Sequence, residues 1–226
     1  MSRRRFANQC LRLGGPELLA EISIVDYGVG NVASVQNMLK KAGYVAELTG
    51  DPDVIAKASK VILPGVGAFD RAAAILRKSG LRDAVIQAAD AGAQVLGICL
   101  GMQLLLDGSE EGEGAEAGLG LIPGRVVAFP PEIRAQGLRT PHMGWNSITR
   151  VGDPATLPTL ADGDRFYFVH SYHAEPNDPS HRFATAHHGI DFTAMVRKGN
   201  VIGAQFHPEK SHRTGMAMLR DFASAE

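Results

Sequence analysis

Cysteine is scarce in this chain: Cys10 and Cys99 are its two, in 226 residues. They lie in unlike contexts, which excludes a disulfide-stapled fold and points to a reducing compartment, the cytoplasm. Net charge is nearly absent as well, at a formal -1, so the chain lacks the basic footprint of a nucleic-acid or membrane-surface protein. No apolar run approaches the roughly 18 residues of a membrane-spanning helix. The leader Met1 to Leu13 carries four arginines but no apolar stretch of the kind a targeting signal needs. There is no internal repeat.

Hydrophobic residues, in contrast, make up 45% of the chain, enough for one α/β domain to bury a core without metals or disulfides. Gly14-Gly15-Pro16 separates the arginine-rich leader from the first periodic segment. Residues 1–20 are therefore expected to be a loosely ordered extension, and residues 21–226 the domain.

Ile22 to Val25, Tyr44 to Leu48, Lys60 to Leu63 and Gln94 to Ile98 are short apolar runs that predict strands. Between them, Val32, Val35, Met38 and Leu39 recur at helical spacing behind Asn31, a helix-capping residue, and Gly43 closes that helix. Further helices are expected over Phe69 to Arg77, Leu81 to Ala91 and Gly101 to Leu106. Strands that alternate with helices pair in parallel through right-handed crossovers, so the chain reads as an α/β sandwich with a mostly parallel central sheet and helices on both faces. The second half changes character. Arg125 to Phe129, Trp145 to Thr149, Phe166 to Val169, Phe183 to Ala186, Thr193 to Val196 and Val201 to Gln205 predict antiparallel additions, before a last helix at Arg213 to Phe222. The acidic, glycine-rich stretch Asp107 to Gly118 reads as a surface loop.

The strongest local signal is Gly97-Ile98-Cys99-Leu100-Gly101-Met102-Gln103. An apolar strand delivers a cysteine to a sharp turn and a helix begins at once, the arrangement of a nucleophile elbow. A helix N-terminus favours the thiolate, and the N–H of Leu100 can donate to an oxyanion. A thiol nucleophile needs a base and an orienting acceptor. Gln205-Phe206-His207-Pro208-Glu209 supplies both: in an extended stretch His207 and Glu209 share a face, His207 moving the proton and Glu209 fixing its tautomer. Histidines also cluster at His170/His173, His181 and His187/His188. No zinc-binding spacing accompanies them, so no metal or cofactor is expected. Gly28-Val29-Gly30 lacks the third glycine of a dinucleotide fingerprint. Pro64-Gly65-Val66-Gly67, between a strand and a helix, is a natural place for backbone donors. Its β-branched Val66 restricts a turn that two glycines would leave free.

Together these segments resemble the class I glutamine amidotransferases, and within them the glutaminase-subunit family of imidazole glycerol phosphate synthases. The narrower likeness rests on Asp26-Tyr27-Gly28-Val29-Gly30-Asn31, Leu63 to Phe69, Pro141-His142-Met143-Gly144-Trp145-Asn146, Tyr167 to Tyr172 and His207-Pro208-Glu209-Lys210-Ser211. It covers about residues 21 to 224. The resemblance implies a catalytic triad of Cys99, His207 and Glu209, and oxyanion donors from Leu100 and the Gly65, Val66, Gly67 turn. It implies glutamine held by Gln103, Glu111, Ser171 and Tyr172. It also implies docking through Asn31, Trp145, Asn146, Tyr167 and Lys210 onto a (β/α)₈ cyclase subunit that receives the ammonia. Two rival readings remain at this stage: a hydrolase of the same fold acting alone, and a silent subunit that only activates a cyclase.

Overall fold

The computed structural model describes residues 22–225; the extension expected over residues 1–20 lies outside them. The first half alternates as its periodicity dictates: β1 (Ile22–Val25), α1 (Val32–Ala42), β2 (Ala46–Thr49), α2 (Pro52–Ile55), β3 (Lys60–Gly65), α3 (Phe69–Lys78), α4 (Leu81–Asp90), β4 (Gln94–Cys99) and α5 (Leu100–Leu104). The second half is strand-rich: β5 (Gly108–Ser109), β6 (Gly124–Ala128), β7 (His142–Ser147), β8 (Thr149–Arg150), β9 (Arg165–His170), β10 (Tyr172–Pro176), β11 (Arg182–His187), β12 (Asp191–Lys198) and β13 (Val201–Ala204), closed by α6 (His212–Ser224).

The main sheet runs β2-β1-β3-β4-β13-β12-β10-β6-β5, with β11 and β8 joined beside β12. Its first five strands pair in parallel; β12, β10 and β6 continue it antiparallel. Side-chain alternation sorts the core into two layers. Ile22, Ile24, Ile62, Leu96 and Ile98 face α1 and α6, meeting Val35, Leu39, Met218, Leu219 and Phe222. Val25, Val61, Leu63 and Val95 face α3 and α4, meeting Phe69, Leu76, Leu81 and Val85. The described residues thus form a single α/β domain with helices on both faces, as its pattern implies.

Several boundaries differ from the sequence reading, each for a local reason. Asn31 sits at the start of α1 but does not cap it: its Oδ1 accepts from the Ser34 hydroxyl at 2.8 Å instead of from a backbone amide. The helix end is as expected, with Gly43 left-handed at φ 97° and its N–H returned to the last turn. The predicted strand Trp145–Thr149 is two pieces. β7 pairs with β9 in a separate two-stranded sheet, while β8 pairs with β11. Pairing with β6 makes a strand of Tyr172–Pro176, a polar stretch with no alternation of large apolar residues. Nor is the acidic stretch a free loop: β5 pairs in parallel with β6, and Asp107 Oδ2 accepts from the Gly124 amide at 2.8 Å.

Candidate active site

Three parallel strands, β3, β4 and β13, lie side by side in the middle of the sheet, and the site forms at their C-terminal ends, where open α/β folds place their sites. Gly65 and Cys99 are partners in adjacent strands there. Cys99 turns the chain from β4 into α5 with φ 55° and ψ -110°, a conformation costly for any residue with a Cβ. Glycine packing enforces the turn. A Cβ on Gly97 would stand 2.6 Å from the Gly101 carbonyl oxygen, and one on Gly101 would collide with the Leu63 carbonyl. Because α5 starts at Leu100, the Leu100 N–H is not used within the helix.

His207 follows β13. Its N–H donates to Tyr167 O at 2.9 Å, its carbonyl accepts from Ser211 Oγ at 2.6 Å, and that oxygen accepts from Tyr167 N at 3.0 Å. The His-Pro-Glu segment is not extended, as its spacing suggested. Pro208–Lys210 forms a 3₁₀ turn, closed by Lys210 N donating to His207 O at 3.1 Å. The turn nevertheless brings Glu209 Oε1 within 2.9 Å of His207 Nδ1, both side chains only 2% exposed. Burial opposes the imidazolium, but hydrogen bonding to Cys99 and Glu209, and their charges, outweigh it and raise the His207 pKa from 6.5 to about 9.

This shift has a measurable consequence. The folded pKa lies above the unfolded one, so the stability this group contributes is fully present below pH 6.5 and is lost as pH rises through about 9. Titration of ¹⁵N-labelled His207 by NMR is expected to show a midpoint near 9, falling toward 6.5 in Cys99→Ala. A wild-type midpoint at or below 6.5 would contradict the coupling.

A cavity of about 290 Å³ opens over the elbow, lined by residues that include Val66, Gly67, Cys99, Leu100, Gln103, Glu111, Ser171, Tyr172, His207 and Lys210. Gly65 and Glu209 are not part of its lining: Gly65 pairs with Cys99 in the sheet and Glu209 bonds His207. Gln103 Nε2 donates to Tyr172 O at 3.0 Å and to Gln205 Oε1 at 3.1 Å. Glu111 reaches back to the start of α3, its Oε2 accepting from Phe69 N at 2.9 Å. A larger groove of about 770 Å³ lies between α1 and α6 and touches Glu209 but not Cys99. Among the described residues no group of three or more His, Cys, Asp and Glu side chains could hold a metal ion. The histidines flagged in the sequence divide instead: His170 and His173 pack around Phe129 and Phe192, while His187 pairs with Asp191 at the surface.

The residues expected at a docking face lie apart from the core. Trp145 is 41% exposed, stacks on His212 at 5.3 Å and meets Tyr167 edge-on at 6.2 Å. The Lys210 ammonium lies 5.8 Å from the Tyr167 ring centroid. Asn146 Nδ2 donates to the His187 carbonyl at 2.8 Å.

Sequence reasoning missed three residues. Gln205, fully buried, points Nε2 at Cys99 Sγ from 3.9 Å. Ser211 locks the His207 backbone. Tyr27 donates its hydroxyl to Pro64 O at 2.8 Å, directly before the Gly65 turn. Burial and the Cys99 charge hold that phenol protonated well beyond its ordinary range. Gln205 and Ser211 flank the His-Pro-Glu motif, and their position beside it was the available signal.

A buried cysteine at a strained strand-to-helix elbow, backed by a His-Glu couple at the C-terminal ends of parallel strands, defines a glutamine amidotransferase architecture. The chain belongs to the class I glutamine amidotransferase family, whose model matches residues 23–225. Among similar proteins is the imidazole glycerol phosphate synthase subunit HisH of Geobacter metallireducens, 44% identical over 207 residues, 91% of this chain and 98% of that one. The HisH subunit of Moorella thermoacetica is 46% identical over 201 residues, 89% of this chain and 93% of its own. Solved structures share the fold. A glutamine amidotransferase crystal structure superimposes with a TM-score of 0.69 at 18% identity, covering 90% of this chain and 99% of that one. The structure of PurLQS from Thermotoga maritima gives 0.68 at 17% identity, covering 89% and 96%.

Proposed function

We propose that this chain is the glutaminase subunit of an imidazole glycerol phosphate synthase, releasing ammonia from glutamine for a cyclase partner in histidine biosynthesis. The observation that carries the reading is the 2.9 Å His207–Glu209 couple beside Cys99, under a cavity large enough for an amino acid. Glutamine sits with its amide carbon over Cys99. Gln103, Ser171 and Tyr172 hold it, and the Glu111 carboxylate takes its ammonium.

The thiolate attacks that carbon, forming the C–S bond and placing negative charge on the amide oxygen. Backbone N–H groups of Leu100 and the Gly65–Val66 turn receive the charge. The tetrahedral adduct collapses as His207 gives its proton to the leaving nitrogen; ammonia departs and a γ-glutamyl thioester remains. His207, now neutral, takes a proton from water, whose oxygen attacks the thioester, and glutamate leaves as the thiolate is restored. Glu209 holds the imidazole and stabilises its cation throughout. The residues of this scheme require no cofactor.

Asn31, Trp145, Asn146, Tyr167 and Lys210 form the docking face for the partner, a (β/α)₈ cyclase in which ammonia meets a phosphoribosyl-formimino intermediate. The products are imidazole glycerol phosphate and an aminoimidazole carboxamide ribotide. No helix of the described residues is long and apolar enough to cross a membrane, and the complex works in the cytoplasm as a heterodimer. The exposed Trp145 favours a docked subunit over a hydrolase acting alone.

Activity is latent until the partner binds. Val66 restricts the peptide that follows Gly65, and the free chain rests with that donor turned from the oxyanion. Missing one such donor slows turnover by about a hundred- to a thousandfold. Glutamate release is therefore expected to rise by about a hundredfold or more when the cyclase and its ligand are added. A free chain that is already fast, with an effect below about twofold, would overturn the switch.

A further inference from the structure

Behind the nucleophile lies a chain of hydrogen bonds whose far end is Asn146, on β7 beside Trp145. Asn146 Nδ2 stands 3.2 Å from His142 Nε2, His142 Nδ1 stands 3.0 Å from His170 Nε2, and His170 Nδ1 stands 2.9 Å from Tyr172 O. A carbonyl only accepts, so His170 carries its proton on Nδ1, and in a neutral ring Nε2 must then accept. His142 in turn carries its proton on Nδ1 and accepts at Nε2 from the Asn146 amide. The amide's orientation agrees: its Nδ2 also donates to His187 O at 2.8 Å, and its Oδ1 accepts from Ser147 N at 2.8 Å.

The same Tyr172 carbonyl accepts from Gln103 Nε2 at 3.0 Å. Gln103 Nε2 also donates to Gln205 Oε1 at 3.1 Å, which leaves the Gln205 Nε2 to face Cys99 Sγ at 3.9 Å. Reversing any one member would set donor against donor or acceptor against acceptor. The members are well shielded, with His142 and His170 each 6% exposed, Gln103 5% and Gln205 0%. Unpaired polar groups at that depth are costly, so the polarity of the whole chain is held. Burial keeps both imidazoles neutral, lowering His142 to about 4 and His170 well below its ordinary value.

We propose that His142, His170 and Gln205 are positioning residues of the glutaminase: through Tyr172 and Gln103 they aim the Gln205 amide at the Cys99 sulfur and tie that aim to Asn146 at the docking face. The inference rests on the function proposed above. Sulfur is a weak acceptor as a thiol and a much better one as a thiolate, so an aimed N–H favours the attacking form. A partner that engages Asn146 would reset the donor at the head of the chain and so reach the nucleophile without touching it.

Two measurements test this. The pH dependence of Cys99 alkylation by iodoacetamide, followed on the Cys99 peptide by mass, reads the thiolate in the full chain without glutamine. Steady-state glutamine hydrolysis in the assembled complex reads kcat and KM, with ammonia-driven turnover as the control for assembly. His142→Phe keeps a ring among Phe129, Phe168 and Phe192 but deletes both nitrogens. His142→Gln restores a donor and an acceptor, and Gln205→Leu removes the last link. Asn146→Asp, at a half-buried position of β7, removes the first donor without entering the core. His142→Phe and Gln205→Leu are expected to lower glutamine kcat about tenfold, the effect of one lost hydrogen bond to a charged group. The midpoint of Cys99 alkylation in the free chain should move upward in both, and in Asn146→Asp; in His142→Phe and Gln205→Leu KM and ammonia-driven turnover hold, and His142→Gln recovers most of the loss. Alkylation midpoints unchanged in Gln205→Leu and Asn146→Asp, or a Gln variant no better than the Phe variant, would overturn the proposal. A wild-type complex that fails to hydrolyse glutamine would overturn the functional reading instead, and alkylation would still decide the wire.

Discussion

Cys99→Ala is expected to abolish glutamine-dependent synthesis while leaving ammonia-driven synthesis by the complex within about twofold of wild type. The first half follows from the elbow: the structure puts no other cysteine among the described residues, and Cys99 alone sits at the cavity floor with its backbone held at φ 55°. An alanine there keeps the turn and its glycine packing but offers no electron pair to the amide carbon. The second half follows from the division of labour, because the acceptor chemistry lies on the partner and free ammonia bypasses the thioester. Parallel assays with glutamine and with ammonium salt separate the two. If both activities vanished in a complex that still assembled, the separation of hydrolysis from synthesis would be wrong.

Removing the proton carrier should be nearly as severe. His207→Ala is expected to lower glutamine kcat by about 10²–10⁴, the usual contribution of a general acid-base group. Glu209→Gln keeps the shape and a neutral acceptor 2.9 Å from Nδ1 but removes the charge that supports the imidazolium in a site with 2% exposure. It should be the milder lesion, and it should lower the His207 titration midpoint from about 9. Rates for both variants close to wild type would remove these residues from the mechanism. Equal, deep losses would instead assign Glu209 more than orientation and charge.

Much of this was legible in the sequence because the signals were local. The parallel half announces itself through runs such as Lys60 to Leu63 and Gln94 to Ile98, whose side chains after the first are buried on both faces. The elbow was legible because Gly97 and Gly101 are needed where a Cβ would strike backbone. What stayed hidden depends on partners distant in sequence. Tyr172–Pro176 is a strand because β6 pairs with it, not because its residues alternate. The Asn31 side chain could have capped α1, but Ser34 competes for its oxygen. Likewise, His142 and His170 look like unremarkable histidines until the β7–β9 pairing places them opposite one another. Gln205 reads as the end of a core strand, and only the close approach of α5 to β13 shows what its amide faces.

The central claim is that nitrogen leaves glutamine on this chain and arrives in the partner's product. Glutamine labelled with ¹⁵N at the amide, supplied to the complex with the cyclase substrate amid excess unlabelled ammonium near neutral pH, reads that transfer directly. At that pH most free ammonia is protonated and competes poorly, so the account predicts ¹⁵N in the imidazole ring of the product, with one glutamate released per ring formed. Label that appears in bulk ammonium while the product ring stays unlabelled would contradict it.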